Sequence, residues 1–375
     1  MASPQHPALA ALIDRVRTAQ ERATPLAVAG HGSKCFYGGP VVGEPLDTTA
    51  LAGISSYEPT ELVVTARAGT PIVELEAALA ERGQHLPFEP PRFAGGPGGR
   101  GTVGGMVATG LSGPARASAG AVRDHVLGAT LLNGRGQVLS FGGQVIKNVA
   151  GYDVSRLLCG SMGVLGVILE VSLKVLPVAP ATATLRFEID EAAALERINR
   201  WGGQPLPIGA SAWWAGMLVV RLRGARAAVE AAAVSLSARF GGERIDDALA
   251  EGFWRGLRDH DDEFFVKARA AVASNSGAAL WRLSLPATAA PLALHGEQMI
   301  EWGGAQRWWC TAQSAASVRE AAQQLGGHAT LFHGADKSQG VFTPLAAPLD
   351  RIHRELKREF DPAGIFNRGR LYPDL

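Results

Sequence analysis

The stretch Ala94 to Gly113 reads AGGPGGRGTVGGMVATGLSG, with nine glycines in twenty residues, where average usage is about 7%. Glycine loses more conformational freedom on folding than any other residue. So dense a run is therefore either disordered or a loop that needs positive φ and bare amides facing a ligand. The neighbouring sequence favours the loop. Two further glycine turns, Gly30-His31-Gly32-Ser33-Lys34 and Ser161 to Gly166, each lie between short apolar elements.

Within the long run, Gly96 to Gly101 formally matches the GxGxxG dinucleotide fingerprint, which requires a strand before it and a helix opening inside it. Pro90 and Pro91 oppose the strand, and Gly104-Gly105 follows at once, so a Rossmann nicotinamide site is rejected. Gly95 to Gly101 is read as only the approach to the segment that follows.

At 375 residues the chain is long enough for two or three domains. It is 47% hydrophobic and 19% charged, with a net charge of +1, so bulk charge points to neither nucleic acid nor an anionic membrane. Cys35, Cys159 and Cys310 make no CxxC or ligand spacing, which argues against a disulfide framework, a metal or an iron–sulfur site and fits a reducing cytoplasm. The first residues show helical periodicity rather than a secretory signal. The most apolar segment, 163–179, is interrupted by Glu170 and Lys174, too short and too charged to span a bilayer.

In chain order, Pro25 to Ala29 reads as a buried strand running into the Gly30 to Lys34 turn. Consecutive amides, a hydroxyl and a lysine there suit a diphosphate, although the same residues suit a plain strand-to-strand turn with Lys34 in solvent. Glu61 to Ala68 alternates as a strand. Thr70-Pro71 then opens a helix with a capping hydroxyl, whose Ile72, Leu75 and Leu79 share one face. His125 to Leu132 and Gln137 to Phe141 form an antiparallel hairpin about Asn133 to Gly136, and Val167 to Leu176 is a further strand. This is an α+β pattern, not the regular alternation of a doubly wound sheet.

Past Pro180 the composition changes, and all eight tryptophans lie between Trp201 and Trp309. That segment reads as an antiparallel sheet with covering helices, its tryptophans core rather than pocket lining, and it is the side assigned to a partner. The tail Asp361 to Leu371, DPAGIFNRGRL, follows a helix and is expected to dock on the rest of the chain.

Taken together, these turns resemble the FAD-binding domain of the vanillyl-alcohol oxidase, or PCMH-type, flavoproteins. In that family a GGGTS-like loop binds pyrophosphate, a TxGGxxAxxG segment passes beside the flavin and a GxxGxxG turn closes the site. The resemblance implies a PCMH-type domain of two α+β subdomains over 1–178, a smaller cap over 179–343 and a return to the flavin domain over 344–375. It implies FAD contacts from Gly30, His31, Gly32, Ser33 and Lys34; from Thr102, Val103, Gly104, Gly105, Ala108, Thr109, Gly110, Ser112, Gly113 and Asp124; from Gly160, Met162, Gly163, Gly166, Val167 and Ile168; and from Asn367 and Arg370. FAD is expected to be non-covalent, because Ser33 rather than His31 falls nearest the position where some relatives attach it.

More narrowly, KNVAGYDVSRLLCGSMGVLGVI and the tail are similar to the FAD-binding subunits of bacterial glycolate oxidases. That implies a larger flavoprotein subunit and an iron–sulfur subunit as partners, glycolate as substrate, quinone as destination of the electrons, and membrane contact only through the complex. A self-sufficient oxidase of another hydroxy acid or alcohol, and a non-catalytic scaffold, are the alternatives. Where catalytic relatives carry Glu-His-Gly, this chain has Phe332-His333-Gly334. Lys147, Asn148, Tyr152 and Arg370 are candidates for the flavin or substrate edge and His125 or His333 for a base; no catalytic residue is assigned.

Overall fold

The computed structural model describes residues 6–93, 99–143, 152–274, 277–373 and 375. Most of Gly95 to Gly101, together with Lys147 and Asn148, lies outside the described residues.

The first half comprises α1 (Pro7–Arg22), β1 (Leu26–Ala29), β2 (Glu44–Asp47), β3 (Ile54–Glu58), β4 (Val63–Arg67), α2 (Ile72–Ala80), β5 (Gln84–His85), α3 (Val103–Thr109), α4 (Arg116–Ala119), α5 (Val122–His125), β6 (Val126–Leu132), β7 (Val138–Gly142), α6 (Val154–Leu157), β8 (Val167–Lys174) and β9 (Leu176–Pro177). β1 and β2 pair in parallel, while β3-β4-β8-β6-β7 form an antiparallel sheet. Six of the eight residues of β8 are buried, since both of its faces are covered. Val171 and Leu173 meet Ile72, Leu75 and Val107 from α2 and α3, while Val167 and Leu169 meet Leu12 and Val16 of α1.

The Asn133 to Gly136 turn closes the β6–β7 hairpin with Leu132 opposite Val138, as expected. One local expectation fails. Thr70 does not cap α2, whose N-cap is Pro71; its hydroxyl instead exchanges hydrogen bonds with the Gly53 backbone at 2.9 and 3.1 Å. A nearby chain turn competes for the same oxygen.

The second half adds β10 (Ala181–Glu188), α7 (Glu191–Gly202), β11 (Ile208–Trp214), β12 (Met217–Gly224), α8 (Arg226–Phe240), β13 (Glu243–Arg244), α9 (Asp247–Asp259), α10 (Glu263–Ala273), β14 (Ala279–Ser284), β15 (Glu297–Glu301), β16 (Gln306–Thr311), α11 (Ala315–Gln324), β17 (His328–His333) and α12 (Ala347–Phe360). Its strands make one antiparallel sheet of eight in the order β13-β10-β12-β11-β15-β16-β14-β17. Seven of the eight tryptophans are buried and Trp214 is half-buried, so they are core, as their composition implied. Tyr37, Phe93 and Met162 of the first half share a cluster with Trp254, Phe265, Trp308 and Phe332 of the second. Glu89 accepts from Arg221 across the same seam at 2.7 Å.

After α12 the chain returns to β1. Leu26 donates to Ile365 and Asn367 donates to Leu26, at 2.7 and 3.0 Å. A buried pair fixes this return: Lys357 Nζ donates to Asp361 Oδ2 (2.8 Å) and to the carbonyls of Val164 and Phe366 (2.7 and 2.8 Å). Asp361 also accepts from the amides of Ile365 and Phe366. Removing one partner leaves the other charge buried without compensation. Asp361→Ala is therefore expected to lower the unfolding free energy by about 3–5 kcal/mol, read by urea denaturation, and a loss under about 1 kcal/mol would show that the pair does not hold the tail.

Candidate functional site

Three turns converge on a cleft of about 350 Å³. Of the residues expected from sequence, Gly30, His31, Gly32, Ser33, Lys34, Thr102, Gly105, Ala108, Thr109, Met162, Asn367 and Arg370 line it. A smaller hollow of about 60 Å³ shares Gly30, Gly105, Ala108, Met162 and Asn367 with it and adds Gly104, Gly163, Gly166 and Ile168.

The fold explains why these positions are small. A Cβ on Gly30 would sit on the Thr102 side chain, one on Gly104 would press within 2.6 Å of Ala68 Cβ, and one on Gly163 would come within 2.7 Å of Asn367 Nδ2. Side chains of neighbouring segments, Thr102, Ala68 and Asn367, thus press directly on the backbone at these positions. Asn367 joins β1 to the 160–166 turn, its Oδ1 accepting from Val28 N–H and its Nδ2 donating to the Met162 carbonyl, both at 2.7 Å.

Anion-binding capacity in this cleft resides in the first turn. The amides of Gly30, His31, Gly32, Ser33 and Lys34 donate to no acceptor among the described residues. Such a run of unpaired N–H groups is costly unless water or an anion takes them. The start of α3 offers no comparable set. Val103 donates to Thr70 O, Gly104 to Ala68 O and Gly105 to Thr102 Oγ1.

Ser33 and Lys34 are buried and converge on Gly101, whose Cβ position lies 3.1 Å from Ser33 Oγ and 3.2 Å from Lys34 Nζ. No hydrogen bond from Lys34 Nζ is found among the described residues; the ammonium lies 5.6 Å from the Phe93 ring centroid. Burial pushes it down to about 8, against the pull of Asp259. The expectation of a solvated Lys34 is thus set aside.

Several expected residues lie elsewhere. Val103 and Val167 are in the core. Gly110, at φ +62°, caps α3 against the backbone of Gly160. Ser112 Oγ accepts from Val122 N–H, and Asp124 caps its own short helix by accepting from Ala121 N–H. Gly113 faces the second-half sheet, its carbonyl accepting from Trp302 Nε1 at 3.0 Å.

Neither candidate base reaches the cleft. His125 is buried against Phe88 with Nε2 bonded to Ala119 O. His333 stacks on Phe36 at 4.0 Å, and burial, then Arg269 and Lys337, push it down to about 4. Tyr152 is 96% exposed. Conversely, Gly101, read as mere approach, lines the cleft, as do Cys35, Pro40 and Val41. Nothing in the types of those last three residues signalled it.

A model of an FAD binding domain matches residues 8–142. The glycolate oxidase subunit GlcE of Escherichia coli is 46% identical over 365 residues, covering 97% of each chain. This chain belongs to the GlcE family. More distant matches to the GlcE-like chain include D-lactate dehydrogenase of Anaerostipes hadrus, 30% identical over 45% of this chain and 35% of that one. Glycolate oxidase subunit GlcD of Bacillus subtilis is 29% identical over 38% of this chain and 29% of that one. Among solved structures, an alkyldihydroxyacetonephosphate synthase superposes with a TM-score of 0.62 at 15% identity, over 95% of this chain and 74% of its own. The α+β, PCMH-type fold expected from the GlcE-like sequence is borne out. Among the described residues no helix is long and apolar enough to cross a membrane.

Lys34 gives this site a measurable signature. In the folded chain it titrates at about 8, below the 10.5 of an ordinary lysine, so between those two pH values the unfolded chain keeps a proton that the folded chain has lost. Stability from this group rises with pH across that interval. Lys34→Met in the flavin-free chain should remove that rise, measured as the difference in urea midpoint between about pH 7.5 and 10; equal differences in both proteins would place Lys34 in solvent.

Proposed function

We propose that the cleft holds FAD and that the chain is the FAD-binding subunit of a complex oxidising glycolate to glyoxylate. The observation that carries this is the Gly30 to Lys34 turn, whose five amides and buried lysine have no hydrogen-bond partner among the described residues and line a single cleft. Those groups fit a diphosphate: amide donors point-solvate its oxygens and Lys34 supplies the counter-charge. Thr102, Gly105, Ala108 and Thr109 along α3, facing Met162, offer the small, largely apolar wall that a flat ring system needs.

When bound, FAD supplies the redox step, accepting a hydride equivalent from C2 of the hydroxy acid. The chain's own residues bind, orient and exclude water. With His125 and His333 turned away from the cleft, oxidation at this subunit is secondary, and a larger flavoprotein subunit and an iron–sulfur subunit complete the route to quinone. Residues 1–178 hold the cofactor in this reading, 179–343 form the cap on the partner side and 344–375 close the cleft. Any membrane contact belongs to the complex.

One preparation tests the reading. The purified full chain should carry FAD or take it up stoichiometrically, and anaerobic glycolate should bleach it only when the partner subunits are present. Bleaching of the isolated chain would overturn the secondary site, and failure to take up FAD would favour the scaffold. Acid precipitation should release FAD to the supernatant. A yellow pellet would show covalent attachment to His31 or another residue; His31 lines the cleft with a buried Nδ1 that has no partner among the described residues.

A further inference from the structure

The turn that lines the cleft continues to Gly39, and its carbonyls are bound by two cations from distant parts of the chain. Arg370, on the tail, donates from Nη2 to Lys34 O (3.0 Å) and from Nη1 to Cys35 O (3.1 Å) and Gly39 O (3.0 Å). Lys337, in the segment between β17 and α12, donates from Nζ to Phe36 O (2.6 Å) and Gly38 O (2.9 Å). Together they take five carbonyls between Lys34 and Gly39. Neither makes an ion pair with a carboxylate among the described residues. Arg370 itself lines the cleft, but Lys337 does not. The ring of His333, four residues before Lys337, stacks on Phe36 at 4.0 Å.

A peptide group has its carbonyl and the next amide on opposite sides of the chain. The held carbonyls share peptide groups with the amides of Cys35, Phe36, Tyr37 and Gly39, and two of these tie back to the anion-binding amides: Cys35 N–H donates to Gly32 O (3.1 Å), whose peptide carries the Ser33 amide, and Tyr37 N–H donates to Lys34 O (3.1 Å). Gly32 and Gly38, at φ +71° and +92°, give the turn enough freedom to collapse otherwise.

We propose, resting on the diphosphate reading above, that Lys337 is a positioning residue for the cofactor: from the cap it holds the Gly30 to Gly39 turn in its anion-binding shape, so that docking of the 334–342 segment and binding of a diphosphate reinforce each other. Arg370 does the same from the tail. Linkage makes the effect reciprocal: whatever the cap segment adds to diphosphate affinity, the diphosphate adds to the docking of that segment.

The test uses the full chain stripped of flavin, with ADP as a diphosphate lacking the flavin ring and riboflavin as the ring lacking phosphate. Lys337→Met is expected to weaken ADP and FAD about tenfold, the scale of hydrogen bonds made by a charged donor. Riboflavin should be unaffected and Lys337→Arg should retain most of the affinity. The loss should persist in 1 M salt, where charges are screened over about 3 Å. An unchanged ADP affinity, a loss that vanishes in high salt, or an equal loss for riboflavin would each overturn the proposal. Hydrogen exchange of the unmutated chain provides a second arm independent of how the variant folds. ADP should slow exchange in 334–342 as well as in 30–39, and protection confined to 30–39 would overturn the coupling. If the unmutated chain binds neither ADP nor FAD, the cofactor reading itself fails; if it binds both and the variants match it, only the role of Lys337 fails.

Discussion

Asn367 spans the gap between β1 and the Met162 turn with two hydrogen bonds of 2.7 Å, and the cleft depends on that bridge. Its backbone is in the left-handed region at φ +40°, a conformation that asparagine tolerates better than most residues with a Cβ. The side chain is buried, so each of these bonds replaces one that water would otherwise make, and leaving either partner unpaired carries the full desolvation cost. The Lys357–Asp361 pair upstream holds the preceding loop at both ends, through Val164 O and through the amides of Ile365 and Phe366. A tail that would fray by itself thus becomes the third wall of the cleft.

Consequences run outward from this wall. With the 160–166 turn tied to the tail, its other side packs on α3: Met162 N–H donates to Ala108 O at 2.8 Å and Gly160 N–H to Val107 O at 3.1 Å. Gly110 is small because that contact is backbone to backbone. The far end of the glycine segment is then committed to the second-half sheet. Trp302 donates to Gly113 O and is flanked by the guanidinium groups of Arg116 and Arg282, at 4.5 and 5.2 Å from its ring centroid. One continuous stretch, 99–113, therefore turns from the cleft into the core and on to the second-half sheet within a few residues.

That division explains what the sequence could and could not disclose. Gly30, Gly104, Gly110, Gly163 and Thr102 were visible because they stand in the glycine-turn motifs that carry the family resemblance. The α+β pattern, the hairpin and the buried tryptophans were equally local matters of periodicity and composition. Which glycine faces ligand and which faces protein was not legible. Gly105 lines the cleft while Gly110 and Gly113 pack on other segments, a distinction made by elements 50 to 190 residues away. Lys337 was invisible for the same reason. In its own stretch, Asp336-Lys337-Ser338, it looks like a solvated loop residue, and only the tertiary fold brings it to Phe36 and Gly38.

Charge at the cleft follows a similar logic. Burial lowers the affinity of Lys34, Lys337 and Arg370 for their protons, and Asp259, the carboxylate that opposes this at Lys34, is already engaged by Arg258 at 2.8 Å and by the amide of Arg92. Three cations gathered about one turn, with no carboxylate ion pair of their own among the described residues, repel one another, and Arg370 adds to burial in lowering Lys337. Opposite charge nearby is what relieves that cost. Since the interaction scales with the product of charges, a diphosphate gains about twice what a monoanion such as a small hydroxy-acid carboxylate would gain at the same distance. Under the proposed function, the turn therefore suits the doubly charged link of a dinucleotide cofactor better than a small carboxylate substrate.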